Sequence, residues 1–527
     1  LISNPKEAEN IVKRAKQTNK FTFTPEKALG LLLSLKLSKW QYMTLRESTL
    51  CEGITNLYPS YYKVQQAKMD CYPPKEAVTV TDVIAKVSLQ ALLDITAARI
   101  IKSLPQETKG KCMNMISKWG FNGASSQSRY KQNIEGEESS DDNDESVFMT
   151  TLVPLKLTAG EEVIWKNPRP CSALYCRPIQ FLFLKESKVI VQEQLAKMDD
   201  EIRSLKVTQY NNNEINHSLV MTMIDGKVCT YLSDAKSPAT CYLCLAKPTE
   251  MNDLETVSQR QVQTDLYKFG LSSLHARINC MECLLHISYR QDLKTWSVRG
   301  EKKLILQAKK KEIQSKFRKE LGLLVDTVKQ GSGTTNDGNT ARKFFEFPEK
   351  TAAITGLDEE LIRRFAVILQ VIASGEFIDI EKFKEYTRRT AERYVELYNW
   401  YYMSATVHKI LMHGADIANV AIVPIGNLSE EASEARNKDF RRYREFHSRK
   451  SSRINTNQDI LNMMLLSSDP LISSTRPVLH AARRKKFSAE AIGLLKLNTD
   501  NSTNLEFIDV DNINPQTDTD SEYETDE

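Results

Sequence analysis

A Cys-x2-Cys pair, Cys241 and Cys244, and a His-x4-His pair, His408 and His413, stand nearly a third of the chain apart. A compact zinc finger draws its ligands from one short segment, so a metal shared by these two pairs must tie together parts of the chain remote in sequence. Two acids flank that clamp: Asp225 precedes the first Cys pair and Glu434 follows the second His. Closing the long segment between them onto one ion would draw both carboxylates toward each other.

Each piece has a plainer reading beside it. A second pair, Cys280 and Cys283, lies among Leu274, Ile278, Met281 and Leu285, whose helical spacing puts the thiols beside an apolar stripe. A four-cysteine site built from both Cys pairs is the rival. Five residues turn a regular helix by about 500°, so His408 and His413 diverge by about 140°. The helix is therefore expected to end near Gly414 if both imidazoles serve one ion. Asp225-Gly226 between two alternating runs is a two-residue hairpin signal, which competes with a ligand role and does not exclude it. Glu434 shares the head of a helix with Glu430 and Glu431, where acids ordinarily complement the helix dipole. Arg436, Lys438, Arg441, Arg442 and Arg444 come next, reading as a phosphate-binding surface or as a solvated charged helix.

Charge is strongly segregated in the 527 residues. Residues 135–145 hold seven acids and residues 500–527 hold ten, with no Lys or Arg in either. Adding their seventeen negative charges back to the net +4 leaves a body of about +21, as expected of a protein that neutralises phosphates. Both acidic stretches read as disordered. Ten cysteines are too few for a disulfide scaffold of this length, and suit zinc in a reducing compartment. No run approaches ~18 apolar residues, so no membrane span is expected.

The chain is long enough for several cores. Residues 1–110 read as a helical DNA-binding and dimerisation region. In it Thr24-Pro25-Glu26 opens one helix and Ser38 begins a capping box for the next, a helix-turn-helix or an ordinary helical hairpin. Residues 111–235 carry strand-like runs, at Met149–Leu157, Ile179–Leu184 and Leu219–Ile224, with a helix over Val189–Leu205. Residues 236–434 are helical again, 435–490 form a basic helical region, and 491–527 an acidic tail. The whole reads as a mixed α+β chain.

Taken in order, KWGFNGASSQSRYKQ, TMIDGK, CYLC, HKILMH and SEARNKDFRR resemble the Transib-family DNA transposases, relatives of the catalytic subunit of the V(D)J recombinase. The resemblance runs from about residue 20 to 490. It implies an RNase H-like core of the DDE type interrupted by a helical zinc-binding insertion. It puts the second Asp on Asp225, the Glu on Glu434, and zinc on Cys241, Cys244, His408 and His413. The first Asp falls on Asn122, which offers a carbonyl oxygen but no charge, so impaired cleavage is expected whether the change is natural or engineered.

The resemblance further implies a nuclear homodimer that binds terminal inverted repeats in double-stranded DNA. It would nick, form hairpins on the flanking DNA, and join 3′ ends to target DNA, using two Mg²⁺ or Mn²⁺ ions. Glu434→Gln is expected to abolish this chemistry, and Glu430→Gln or Glu431→Gln to cost little. The rivals are a non-catalytic zinc-containing DNA-binding protein of the same ancestry, and a helical scaffold with incidental cysteines.

Overall fold

A computed structural model describes residues 22–104, 108, 110–125, 145–329, 333–476, 484–496 and 506–508. Most of the acidic stretch at 135–145 and of the acidic tail lies outside these residues.

The strands are β1 (Val78–Val80), β2 (Ile84–Val87), β3 (Cys112–Ala124), β4 (Val147–Ala159), β5 (Glu162–Lys166), β6 (Arg177–Leu182), β7 (Thr208–Tyr210), β8 (Asn213–Met221), β9 (Arg484–Lys486) and β10 (Glu506–Ile508). The main sheet runs β1-β2-β6-β4-β3-β8-β7, with β5 on β4. Among the described strands only β3 and β8 pair parallel, in a register that sets Trp119 beside Met221. β3 and β4 hold the centre. β4 is buried at every position from Val147 to Leu155, the pattern of a strand covered on both faces, which is why it reads as one apolar run.

The helices are α1 (Pro25–Ser34), α2 (Lys39–Cys51), α3 (Tyr61–Met69), α4 (Leu89–Lys102), α5 (Lys188–Arg203), α6 (Gly226–Tyr231), α7 (Leu254–Ser258), α8 (Ser273–Arg290), α9 (Lys302–Leu321), α10 (Gly338–Glu346), α11 (Pro348–Thr355), α12 (Glu359–Ile372), α13 (Ile380–Tyr398), α14 (Ala405–Val420), α15 (Glu431–Phe446), α16 (Arg453–Ser467), α17 (Pro470–Thr475) and α18 (Ala489–Gly493). Thr24 caps α1 with Pro25 at its first position, and Ser38 with Gln41 forms the capping box of α2. From α7 to α14 the described chain is helical: α13 lies along α14, and α8 touches α9, α10, α12 and α14. The chain then returns to the sheet, α15 against β3 and β4 and α16 against β1, β2 and β6. No helix among the described residues is long and apolar enough to cross a membrane.

Three points differ from the sequence reading. β1 and β2 extend the sheet from within the segment read as purely helical. Their short runs pair only with remote partners, Ile84 with Leu182 for instance, which no local pattern announces. The boundary at residue 434 falls inside α15. At the other end, Leu494 and Leu495 are buried, and Glu506–Ile508 pairs antiparallel with Arg484–Lys486, so the tail is ordered there.

One close approach fixes the sheet's working end. The amides of Thr222 and Met223 both donate to the Trp119 carbonyl, at 3.1 and 3.2 Å, drawing the chain after β8 across β3. It passes so near that a Cβ on Gly120 would lie 2.1 Å from the Met223 carbonyl oxygen. Gly120→Ala is therefore expected to cost at least about 1–3 kcal/mol in denaturant unfolding and to displace the segment leading to Asp225.

Candidate active site and metal centre

The Cys241–Cys244 loop turns back on itself. Leu245 donates from its amide to the Cys241 carbonyl at 2.8 Å, and the Cys241 amide donates to the Ala246 carbonyl at 3.0 Å. Leu245 takes a left-handed φ of 56°, an uncommon conformation for a bulky residue and one that tight sites retain. The two histidines stand on α14, and all four side chains are buried with ligand atoms within 4.8 Å of one another. Contrary to expectation, α14 runs on through Gly414 to Val420. The rings converge without a helix end because each imidazole swings from its Cα toward the Cys loop. Their centroids lie 5.3 Å apart, at 72°.

Cys244 Sγ is 3.3 Å from His408 Nε2, and His413 Nε2 is buried with no hydrogen-bond partner. Hydrogen bonding with Cys244, and then with His408 and His413, holds the Cys241 thiol well below its usual range against the opposing effect of burial. Two soft sulfurs, two imidazoles and an orphaned ring nitrogen suit a closed tetrahedral zinc site. Cys280 and Cys283 stay apart from this group. They are buried on α8, Cys283 Sγ lies 3.3 Å from the Tyr394 hydroxyl, and burial raises both thiols. That pair lies along an apolar stripe, and the four-cysteine alternative is not formed.

Asp225 is not a hairpin turn. It caps α6, accepting from the Val228 amide at 2.8 Å, because the chain after Met223 coils into a helix where a hairpin needs a returning strand. Asn122 lies three residues past Trp119 on β3, and Asp225 four past Met221 on β8, so both stand beyond the ends of the parallel pair. Glu186, which no motif marked, belongs here too. A Cβ on Gly123 would lie 2.6 Å from its Oε2, and Lys227 Nζ pairs with its carboxylate at 2.8 Å. An acid just before the Ser187 cap of α5 is too ordinary to stand out in sequence.

Glu434 is half-buried at the start of α15, joined to its surroundings by His275, the second residue the sequence did not reveal. His275 Nε2 is 3.7 Å from Glu434 Oε1, and its Nδ1 is 2.5 Å from Glu430 Oε1. Burial opposes protonation of His275, but the hydrogen bond and charge of Glu430, with the charges of Glu434 and Asp225, raise it to about 9. The imidazolium therefore persists at neutral pH. Burial, against the pull of His275 and helped by the nearby charges of Glu430 and Glu431, pushes Glu434 up to about 7. Glu430 is fully enclosed, bonded to His275 and to Ser272, so its substitution cannot be as innocuous as expected. Lys118, fully buried on β3, donates to the Ser429 carbonyl at 2.6 Å and ties that strand to the start of α15.

The basic helix divides in two. Arg436 and Arg444 are buried, which corrects their expected place on a phosphate-binding surface. Arg436 donates to Ser467 Oγ at 2.8 Å and to the Ala173 carbonyl, and Arg444 stacks over Phe183 at 5.0 Å. A helix packed along the sheet must turn one side inward, and these residues fall on it. Lys438 and Arg441 are exposed, Arg441 paired with Glu445, and Arg442, partly exposed, pairs with Asp439. Arg436→Ala is expected to lower unfolding free energy by about 3–5 kcal/mol in a urea titration, and Arg441→Gln by less than about 0.5.

No protein-family profile and no curated protein matches the chain. Among solved structures it is similar to the Drosophila P element transposase strand transfer complex, at 9% identity and a TM-score of 0.33, over 89% of this chain and 100% of that one.

Proposed function

We propose that the chain is a DNA transposase of the DDE type, closed by a structural zinc and impaired in cleavage by Asn122. The observation that carries this reading is the position of Asn122 and Asp225 past the ends of the neighbouring parallel strands β3 and β8, with the Glu434 helix packed against β3. The RNase H-like core is β3 with its neighbours, and the helices from α7 to α14 are the insertion. Cys241, Cys244, His408 and His413 hold the zinc. Asp225, Glu434 and, more weakly, Asn122 hold Mg²⁺ or Mn²⁺, with Glu186 a fourth oxygen donor beside them. When bound, such ions activate the attacking oxygen and neutralise the leaving 3′ oxygen.

The chain's own groups do the rest. The cap bond from Val228 fixes one Asp225 oxygen and leaves the other for the ligand. His275, charged at neutral pH, holds Glu430 and sets a positive donor beside Glu434, where a scissile phosphate needs one. Lys438, Arg441 and Arg442 supply phosphate contacts along α15. The substrate is double-stranded DNA bearing terminal inverted repeats, engaged in the nucleus by a homodimer, since joining two ends needs two sites. A non-catalytic DNA-binding descendant is the second reading, favoured by Asn122 alone. Duplexes selected from a random pool by the chain itself, offered with Mg²⁺ to the Asn122→Asp form, separate the two: nicking supports the transposase, and binding without nicking supports the descendant.

A further inference from the structure

Helix α9 carries eight basic residues and two acids in twenty. It is anchored by Ile313 and Phe317, its two buried residues. Lys309 pairs with Asp292 and Glu312, Lys310 with Asp326, and Lys316 with Glu312. The other five, Lys302, Lys303, Lys311, Arg318 and Lys319, are exposed and have no acidic partner among the described residues. Lys311, Arg318 and Lys319 lie about 100° of arc or more from both Ile313 and Phe317, on the outward face, while Lys302 and Lys303 are exposed at the helix's first turn.

The same fold holds another highly charged helix whose basic residues are all compensated. On α13 all five basic residues are paired: Lys382 with Asp379, Lys384 with Asp416, Arg388 and Arg389 with Glu385, and Arg393 with Asp358. A helix that leaves five like charges uncompensated along about 30 Å gives up the pairing that α13 makes, and its complement is a dense row of negative charge. B-DNA offers one charge about every 1.7 Å of axis. A second copy of the same face would repel it.

We propose that the outward face of α9 binds the phosphates of duplex DNA, as a surface separate from α15. The proposal rests on the transposase reading for its substrate. α9 meets α8 near Tyr289 and Asp292, the end opposite His275. Along α8 that separation is about 21 Å, or roughly six base pairs of duplex running from the carboxylates. The surface thus meets DNA flanking the reacting phosphate.

The test is a salt series with the full chain and a random-sequence duplex of about 30 base pairs. Changing Lys302, Lys303, Lys311, Arg318 and Lys319 together to Gln is expected to flatten the slope of log K against log salt by about 0.9 for each phosphate no longer neutralised, roughly three to four in all. Affinity near 0.1 M salt falls at least about a hundredfold. Changing Lys311 and Arg318 alone flattens it by just under two, and serves if the fivefold variant does not fold. Arg388→Gln with Arg389→Gln leaves the slope unchanged. A parent-like slope in both α9 variants, while Arg441→Gln with Arg442→Gln flattens it, would overturn the α9 surface and leave the transposase reading standing. Failure of the parent to bind duplex at all would overturn both.

Discussion

Replacing Asn122 by Asp is expected to raise Mg²⁺-dependent nicking of bound duplex by at least about a hundredfold, equivalent to about 3 kcal/mol in the barrier. Asn122 presents a neutral carbonyl near the end of β3, and Asp225, past the end of the neighbouring β8, is already ordered by its cap bond. The added charge completes a set of hard oxygen ligands without changing the side chain's size. On that background Glu434→Gln is expected to return nicking and strand joining to the parent level while DNA affinity stays within about twofold, because the residues proposed to contact phosphate lie further along α15. Glu431→Gln, at the rim near Arg342, is expected to cost little. Glu430→Gln is expected to lower stability, since it leaves His275 without the carboxylate that holds its proton. Full activity of the Glu434→Gln form together with loss in Glu431→Gln would shift the register of the catalytic helix by nearly a turn.

The second large effect concerns zinc. His408→Ala is expected to abolish bound zinc and to unfold the helices around α14, seen as loss of stoichiometric metal and rapid proteolysis between residues 236 and 430. Structural zinc sites contribute on the order of 10 kcal/mol, comparable with the whole stability of a domain. Cys280→Ser with Cys283→Ser is expected to retain one zinc per chain, because Cys283 lies against Tyr394 and both thiols stand outside the cluster. Zinc lost from the second variant and kept in the first would reverse the ligand assignment.

How much of the fold is legible in the sequence depends on how local each signal is. Ser38 and Gln41 stand three apart and form a capping box from that spacing alone, and α5, α12 and α13 arise from helical runs of their own residues. The two metal half-sites are visible because each is short. Their union rests on order along the chain, and helix geometry forbids it within an unbroken α14 only when the reach of an imidazole is neglected. Asp225-Gly226 carries a hairpin's dipeptide, but the amides of Thr222 and Met223 are already committed to Trp119, on a strand remote in sequence. Arg436 and Lys438 look alike in a string of basic residues, and only the packing of α15 on the sheet distinguishes inward from outward. Glu186 and His275 bear no pattern at all. They matter through what the fold sets beside them, Gly123 in one case and Glu434 in the other.

The central claim is that residue 122, Asp225 and Glu434 share divalent metal, and anomalous diffraction from crystals of the Asn122→Asp form grown with Mn²⁺ tests it most directly. Two peaks about 3.5–4 Å apart, contacted by the carboxylate introduced at position 122, by Asp225 and by Glu434, are the result predicted here. A single peak held by His275 and Glu430, or no peak near Asp225, would contradict it.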